Sequence, residues 1–254
     1  MTAAQFAARL RARERVIGYW TVLDAPPATE RIARLGYDYV CLDGQHGMVG
    51  YSGLLSSLMA VDAAGGDTVG LVRVEANDIT PIGRALDAGA CGVIVPLIDT
   101  AADAADAVAS VRYPPEGRRS FAPSRAGLRV GVKPAEANAV NVVIAMIETP
   151  GALSEVDAIC ATPGLDGVYV GPSDLSLAVG GAFPLDPTVT EKFEQAVTKV
   201  REAARQAGIA AGIHTPNGET AARRLAEGFT FASISSDLAH LEAAARNHLE
   251  TAKQ

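Results

Sequence analysis

The sequence predicts an α/β chain folded as one (β/α)8 barrel, a single domain over residues 1–254. Eight short β-branched runs recur along it, each followed by a helix-like segment. Such alternation implies parallel strands joined by right-handed crossovers, and eight is the number that closes a barrel of this kind. No GxGxxG follows the first run, which disfavours the rival doubly wound open sheet. No linker or shift in composition divides the chain. With 254 residues, 48% of them hydrophobic, it can bury a large core without covalent staples.

The first strand, VIGYWTV at 16–22, follows a short amphipathic helix and precedes a helix at 27–35. YDYVCL at 37–42 is the second, with a helix at 51–64. The third, at 68–72, leads to a helix at 79–88, for which Asn77 and Asp78 are candidate caps and Pro81 suits the first turn. GVIV at 92–95 is the fourth, followed by an alanine-rich helix at 100–111. Residues 112–134, with RYPPEGRRSFAPSRAG, lack periodicity and read as an irregular connection. Alternation resumes with a strand at 142–147 and a helix at 151–160, then a strand at 167–170 and a long helix at 188–207. A strand at 209–213 with a helix at 218–227, and a strand at 229–232 with a closing helix at 237–249, complete the pattern.

A net charge of −7 leaves no basic footprint for nucleic acid. The apolar runs stop far short of the ~20 residues a membrane span needs. Cys41, Cys91 and Cys160 are far apart and odd in number, so buried thiols are expected rather than a disulfide framework. The N-terminal residues place charges after a weak apolar start, the reverse of a secretory signal, and the expected compartment is a reducing cytoplasm.

In such a barrel the chemistry sits at the C-terminal ends of the strands. Asp43 and His46 follow the second strand, Arg73 the third, Glu148 the fifth, Ser173 and Asp174 the sixth, and His214 the seventh. Glu148 and Asp174 are hard oxygen donors suited to a divalent cation such as Mg²⁺ or Mn²⁺. Each also has a structural alternative, Glu148 as a helix N-terminal acid and Asp174 as an N-cap. His46 can serve as general base, oriented by Asp43 across a glycine turn, or be a hydrogen-bonded loop residue. Arg73 can hold a carboxylate or a developing oxyanion, or pair with an acid such as Glu75 or Asp87. The four lysines, at 133, 192, 199 and 253, all lie off the strands, which disfavours an imine mechanism.

These residues sit in LDGQHG (42–47), LVRVEAND (71–78), LDAGACGVIVP (86–96), RYPPEGRRS (112–120), MIETPGAL (146–153) and VYVGPSDLS (168–176). Over nearly its whole length the chain resembles the HpcH/HpaI family of metal-dependent, pyruvate-enolate aldolases. The resemblance implies a (β/α)8 TIM barrel, a homohexamer built as a trimer of dimers, and a last helix exchanged between neighbours. It implies reversible cleavage of a 4-hydroxy-2-oxo acid to pyruvate or hydroxypyruvate and an aldehyde, with Mg²⁺, Mn²⁺ or Co²⁺ as cofactor. His46 matches the acid/base histidine and Arg73 the arginine that stabilises the enolate. Asp87 matches an aspartate that raises the basicity of the histidine, with Asp43 as an alternative. Glu148 and Asp174 match the metal ligands, and Ser173 and Asp174 the contacts to the pyruvate moiety. Gln45, Met146 and the Arg-Arg-Ser at 118–120 depart from the family pattern, which bears on the aldehyde and on the pyruvate pose. Aldehyde selectivity is expected from 118–129, from 213–216 and from a neighbouring subunit, with Arg118, Arg119 or Arg125 pairing a charged aldehyde. Three other readings stay open: decarboxylation of oxaloacetate or another 2-oxo diacid through the same enolate; a related barrel lyase acting on CoA thioesters or a phosphoenolpyruvate-type enzyme, disfavoured by the lack of an obvious nucleotide or phosphate loop; and a non-catalytic barrel that binds 2-oxo acids.

Overall fold

The computed structural model describes residues 1–254. Eight strands form a closed barrel in sequence order: β1 (Val16–Thr21), β2 (Tyr39–Asp43), β3 (Val69–Arg73), β4 (Gly92–Val95), β5 (Val142–Ile147), β6 (Gly167–Val170), β7 (Ala210–Thr215) and β8 (Phe231–Ser236). All neighbours pair in parallel, including β1 with β8. This is the (β/α)8 TIM barrel that the alternation predicts.

The outer helices run back from the mouth of the barrel to its base. They include α2 (Pro26–Ala33), α3 (Tyr51–Ala63), α4 (Ile79–Asp87), α5 (Ala101–Val111), α11 (Thr190–Ala207), α12 (Gly218–Glu227) and α13 (Asp237–Ala252). Asp78 caps α4 by accepting from the Thr80 amide, and Pro81 lies in its first turn. One apolar cluster fills the layer between strands and helices. A second fills the barrel and continues under its base, where α1 (Ala3–Arg11) inserts Phe6 and Leu10. Inside, Gly18 faces the Tyr39 ring and Gly212 the Phe231 ring, at positions where a Cβ would come within 2.0 Å and 2.2 Å of ring carbons. Cys41, Cys91 and Cys160 are buried and free. No helix is long and apolar enough to cross a membrane.

Departures from the expected elements follow one pattern. The expected helix at 151–160 is two short ones, α8 (Pro150–Ser154) and α9 (Val156–Cys160), because Glu155 leaves the helical region at φ −98 and ψ 6. The irregular connection contains α6 (Gly127–Val130) and α7 (Pro134–Val140), which join α1 beneath the barrel. GPSDLS, which reads as a loop, opens α10 (Pro172–Ala178). β7 and β8 run further toward the mouth than the apolar signal does, since His214, Thr215, Ser233 and Ser236 are polar strand residues. At the end of β8 the ladder to β1 skips Ser235, which sits at φ 52, so Trp20 pairs with Ser236.

Candidate active site

Asp43 and Arg73 end adjacent strands and are register partners. Both are buried, and they form a fork in which Arg73 Nε donates to Asp43 Oδ1 at 2.9 Å and Nη2 to Oδ2 at 2.5 Å. The same carboxylate accepts the Trp20 indole N–H at 3.1 Å and the main-chain N–H groups of Gln45 and His46, each at 3.1 Å. Burial alone would raise the Asp43 carboxyl, but the guanidinium and these donors hold it below the usual carboxylate range. Asp43 therefore fixes the His46 backbone and not, as expected, its imidazole. The partner of Arg73 is likewise Asp43, and neither Glu75 nor Asp87. The third nitrogen, Arg73 Nη1, has no protein partner and is not sealed off.

Glu148 follows β5 and is only 3% exposed. Its Oε1 accepts the Leu97 amide at 3.0 Å, from a backbone bent into the left-handed region at φ 53. Its Oε2 is buried without any partner. A Cβ on Gly171 would lie 2.5 Å from that oxygen, so glycine keeps the space beside it open. Burial raises the Glu148 carboxyl, with Asp174 adding to the effect and the Leu97 amide and Arg73 opposing it. The N-cap alternative for Asp174 does not hold, while Glu148 directly precedes the α8 cap. The α8 cap is Thr149, and the α10 cap is Gly171, which leaves Asp174 exposed in the first turn.

A cavity of about 250 Å³ joins these groups. Glu148 and Met146 line it from β5, Ser173 and Asp174 from the end of β6, His214 from β7, Ser236 from β8 and Trp20 from β1, while His46 and Arg73 enter from β2 and β3. The exposed His46 imidazole thus shares one cavity with a guanidinium and two acids. A carboxylate oxygen left without a donor in a buried site costs free energy unless a cation or proton offsets it. The pair Glu148 and Asp174 is therefore suited to a hard divalent cation whose remaining positions go to water and substrate oxygens.

Two expectations do not survive in a single chain. Asp87 is the last residue of α4, at the base of the barrel, where it pairs with Arg119 at 2.7 Å and its carbonyl accepts the Arg125 and Ala126 amides. The mouth is at the other end, so within the chain Asp87 does not reach His46. Segment 118–129 shares that base: Arg118 faces Asp106, and Arg125 and Arg129 pair with Asp62, so these arginines do not line the cavity.

The sequence alone assigns no role to Trp20, Tyr169 or Ser236, and it includes His214 only within the 213–216 stretch expected to select the aldehyde. Trp20 is the hub of the cavity wall: it stacks on Tyr169 at 5.7 Å, carries the Arg73 guanidinium at 5.1 Å and meets His214 edge-on at 5.5 Å. The available signal was its position, since it is the sole tryptophan and falls near the mouth end of the first strand. His214 Nδ1 lies 3.1 Å from Ser233 Oγ, which in turn bonds the Tyr169 hydroxyl. Burial first, then the Arg73 charge, push the imidazole down to about 4. Stability supplied by the neutral ring is thus complete above the ordinary 6.5 and is lost as pH falls toward 4. Urea midpoints should drop over that interval, and drop less in His214→Gln. An equal drop in both proteins would remove His214 as the source.

Two hard acids, a free guanidinium nitrogen and an accessible imidazole around one small cavity define an enzyme site that can hold a nascent oxyanion beside a proton carrier. A sequence model of the HpcH/HpaI aldolase/citrate lyase family matches residues 16–244, and the chain belongs to that family. It is a carbon–carbon lyase of the aldolase class. It is 40% identical over 235 residues to a hydroxypyruvate/pyruvate aldolase of Rhizorhabdus wittichii, covering 92% of each chain. It is 36% identical over 253 residues to a 5-keto-4-deoxy-D-glucarate aldolase of Salmonella paratyphi A, covering 98% of this chain and 97% of the other. The crystal structure of a family protein from Burkholderia cenocepacia J2315 matches with a TM-score of 0.90 at 32% identity, over 99% of this chain and 100% of that one.

Proposed function

We propose that the chain reversibly cleaves a 4-hydroxy-2-oxo acid into an aldehyde and pyruvate or hydroxypyruvate through an enolate. The observation that carries this reading is the buried, unpartnered Glu148 Oε2 in the same cavity as Arg73 Nη1 and the His46 imidazole. Mg²⁺, Mn²⁺ or Co²⁺ held by Glu148 and Asp174 would act as a Lewis acid on the 2-oxo group. Arg73 donates Nη1–H to the C2 oxygen as negative charge develops there, and its other two contacts with Asp43 hold that nitrogen in place. The main-chain N–H groups of Ser173 and Asp174, unpaired at the first turn of α10, suit the substrate carboxylate. His46 removes the proton of the C4 hydroxyl, directly or through one water, as the C3–C4 bond breaks, and Asp43 anchors its backbone. Proton return to C3 releases the 2-oxo acid.

The reading extends to a cytoplasmic homohexamer, a trimer of dimers that exchanges α13. In its support, residues 239–254 are all exposed, including Leu241 and Leu249, while the start of α13 is anchored by Asp237 accepting the Val22 and Leu23 amides. The test of the proton carrier is His46→Ala with a 4-hydroxy-2-oxo acid as substrate. Because the side chain is exposed, the melting temperature should hold while kcat falls about 10²–10⁴-fold. Full aldol and retro-aldol rates in that variant would show that another group is the base.

A further inference from the structure

His214 is the one part-buried titratable side chain of the cavity that the mechanism above leaves idle. Its Nδ1 is committed to Ser233, and its Nε2 has no protein partner. It stands on β7, across the Trp20 indole from Arg73, with Ser236 beside it in the same wall. A 2-oxo acid placed with its oxo oxygen at Arg73 and its carboxylate at Ser173 and Asp174 can turn C3 toward His214, whose strand β7 pairs with β6. There the His214 imidazole and Ser236 stand beside the apolar Trp20 and Val22, so a hydroxyl on C3 finds a polar partner that a methyl group cannot use.

We propose that His214 selects the donor by hydrogen-bonding through Nε2 to a hydroxyl on C3 of the 2-oxo acid, so that hydroxypyruvate-type donors are preferred over pyruvate. The inference rests on the lyase reading above and adds to it the donor class and the residue that recognises it. A hydroxyl suits either tautomer: it donates to Nε2 if Nδ1–H points at Ser233, and accepts from Nε2–H if Ser233 donates to Nδ1. A methyl group satisfies neither and leaves the ring nitrogen unpaired once water is expelled. Burial and the Arg73 charge keep the ring neutral at pH 7, so it does not compete with Arg73 for the carboxylate.

The test compares donor binding by calorimetry and C3 proton exchange in D₂O, without aldehyde, in the Mg²⁺-loaded wild type, His214→Leu and His214→Gln. The wild type should bind hydroxypyruvate about tenfold more tightly than pyruvate, as expected for one satisfied hydrogen bond. His214→Leu should erase that ratio while pyruvate affinity stays within about twofold, and His214→Gln should retain much of the preference. Equal losses for both donors in His214→Leu, with the wild-type ratio kept, would overturn the inference. Donor affinities and exchange rates left unchanged in His214→Leu would overturn it too. If the wild type neither binds nor exchanges either donor, the lyase reading itself fails, and the inference falls with it.

Discussion

Replacing Arg73 with Ala is expected to lower kcat about 10²–10³-fold and also to destabilise the protein, an unusual pairing for a catalytic change. The first effect is loss of the Nη1 donor from the C2 oxygen. The second arises because Asp43 is 1% exposed and would keep its charge with only the indole and two amides as donors. Removing one partner of a buried ion pair costs about 3–5 kcal/mol. Arg73→Lys restores a charge but not the geometry. One ammonium cannot bond both Asp43 oxygens and still present a separate, oriented N–H to substrate. Urea denaturation should therefore recover partly in Lys, while turnover stays close to the Ala level. A Lys variant with near-native kcat would mean that Arg73 acts as a charge and not as an oriented donor.

Glu148→Gln should have the opposite signature, abolishing turnover while leaving the metal-free fold intact or more stable. The amide keeps a carbonyl oxygen for the Leu97 N–H and removes a buried charge whose second oxygen has no donor. Burial raises the wild-type carboxyl above its ordinary 4.5. Its contribution to stability is therefore full below 4.5 and is lost as pH rises through the raised folded value. In EDTA, the stability advantage of Glu148→Gln over wild type should grow from pH 4 to pH 7. Adding Mg²⁺ or Mn²⁺ should raise the melting temperature of the wild type alone, since a ligand that binds only the native state stabilises it. A metal-induced shift of equal size in both proteins would remove Glu148 from the donor set.

What the sequence made legible follows from where apolarity and shape coincide. The strand cores of β4, β5 and β6 are bounded as expected because Val, Ile and Gly mark both the interior and its limits. The mouth ends of β7 and β8 were under-read because function substitutes His, Thr and Ser for apolar residues there, so periodicity fades where the chemistry begins. His46, Arg73, Glu148 and Asp174 were legible as polar residues at successive strand ends, and one cavity gathers them. The pairing of Asp43 with Arg73 was not, because it depends on the β2–β3 register, which no local pattern encodes. The place of Asp87 in its own barrel was not legible for a related reason. A motif carries no record of which end of its helix faces the mouth, and Asp87 closes α4 at the base.

The central claim, that this cavity makes and holds a 2-oxo-acid enolate, is tested most directly by NMR of pyruvate and hydroxypyruvate in D₂O with EDTA-treated protein. Exchange of the C3 protons should appear on adding Mg²⁺ or Mn²⁺, vanish in Glu148→Gln, and require no aldehyde. Absence of exchange with either donor and any of these cations, in a protein shown to bind them, would contradict the account.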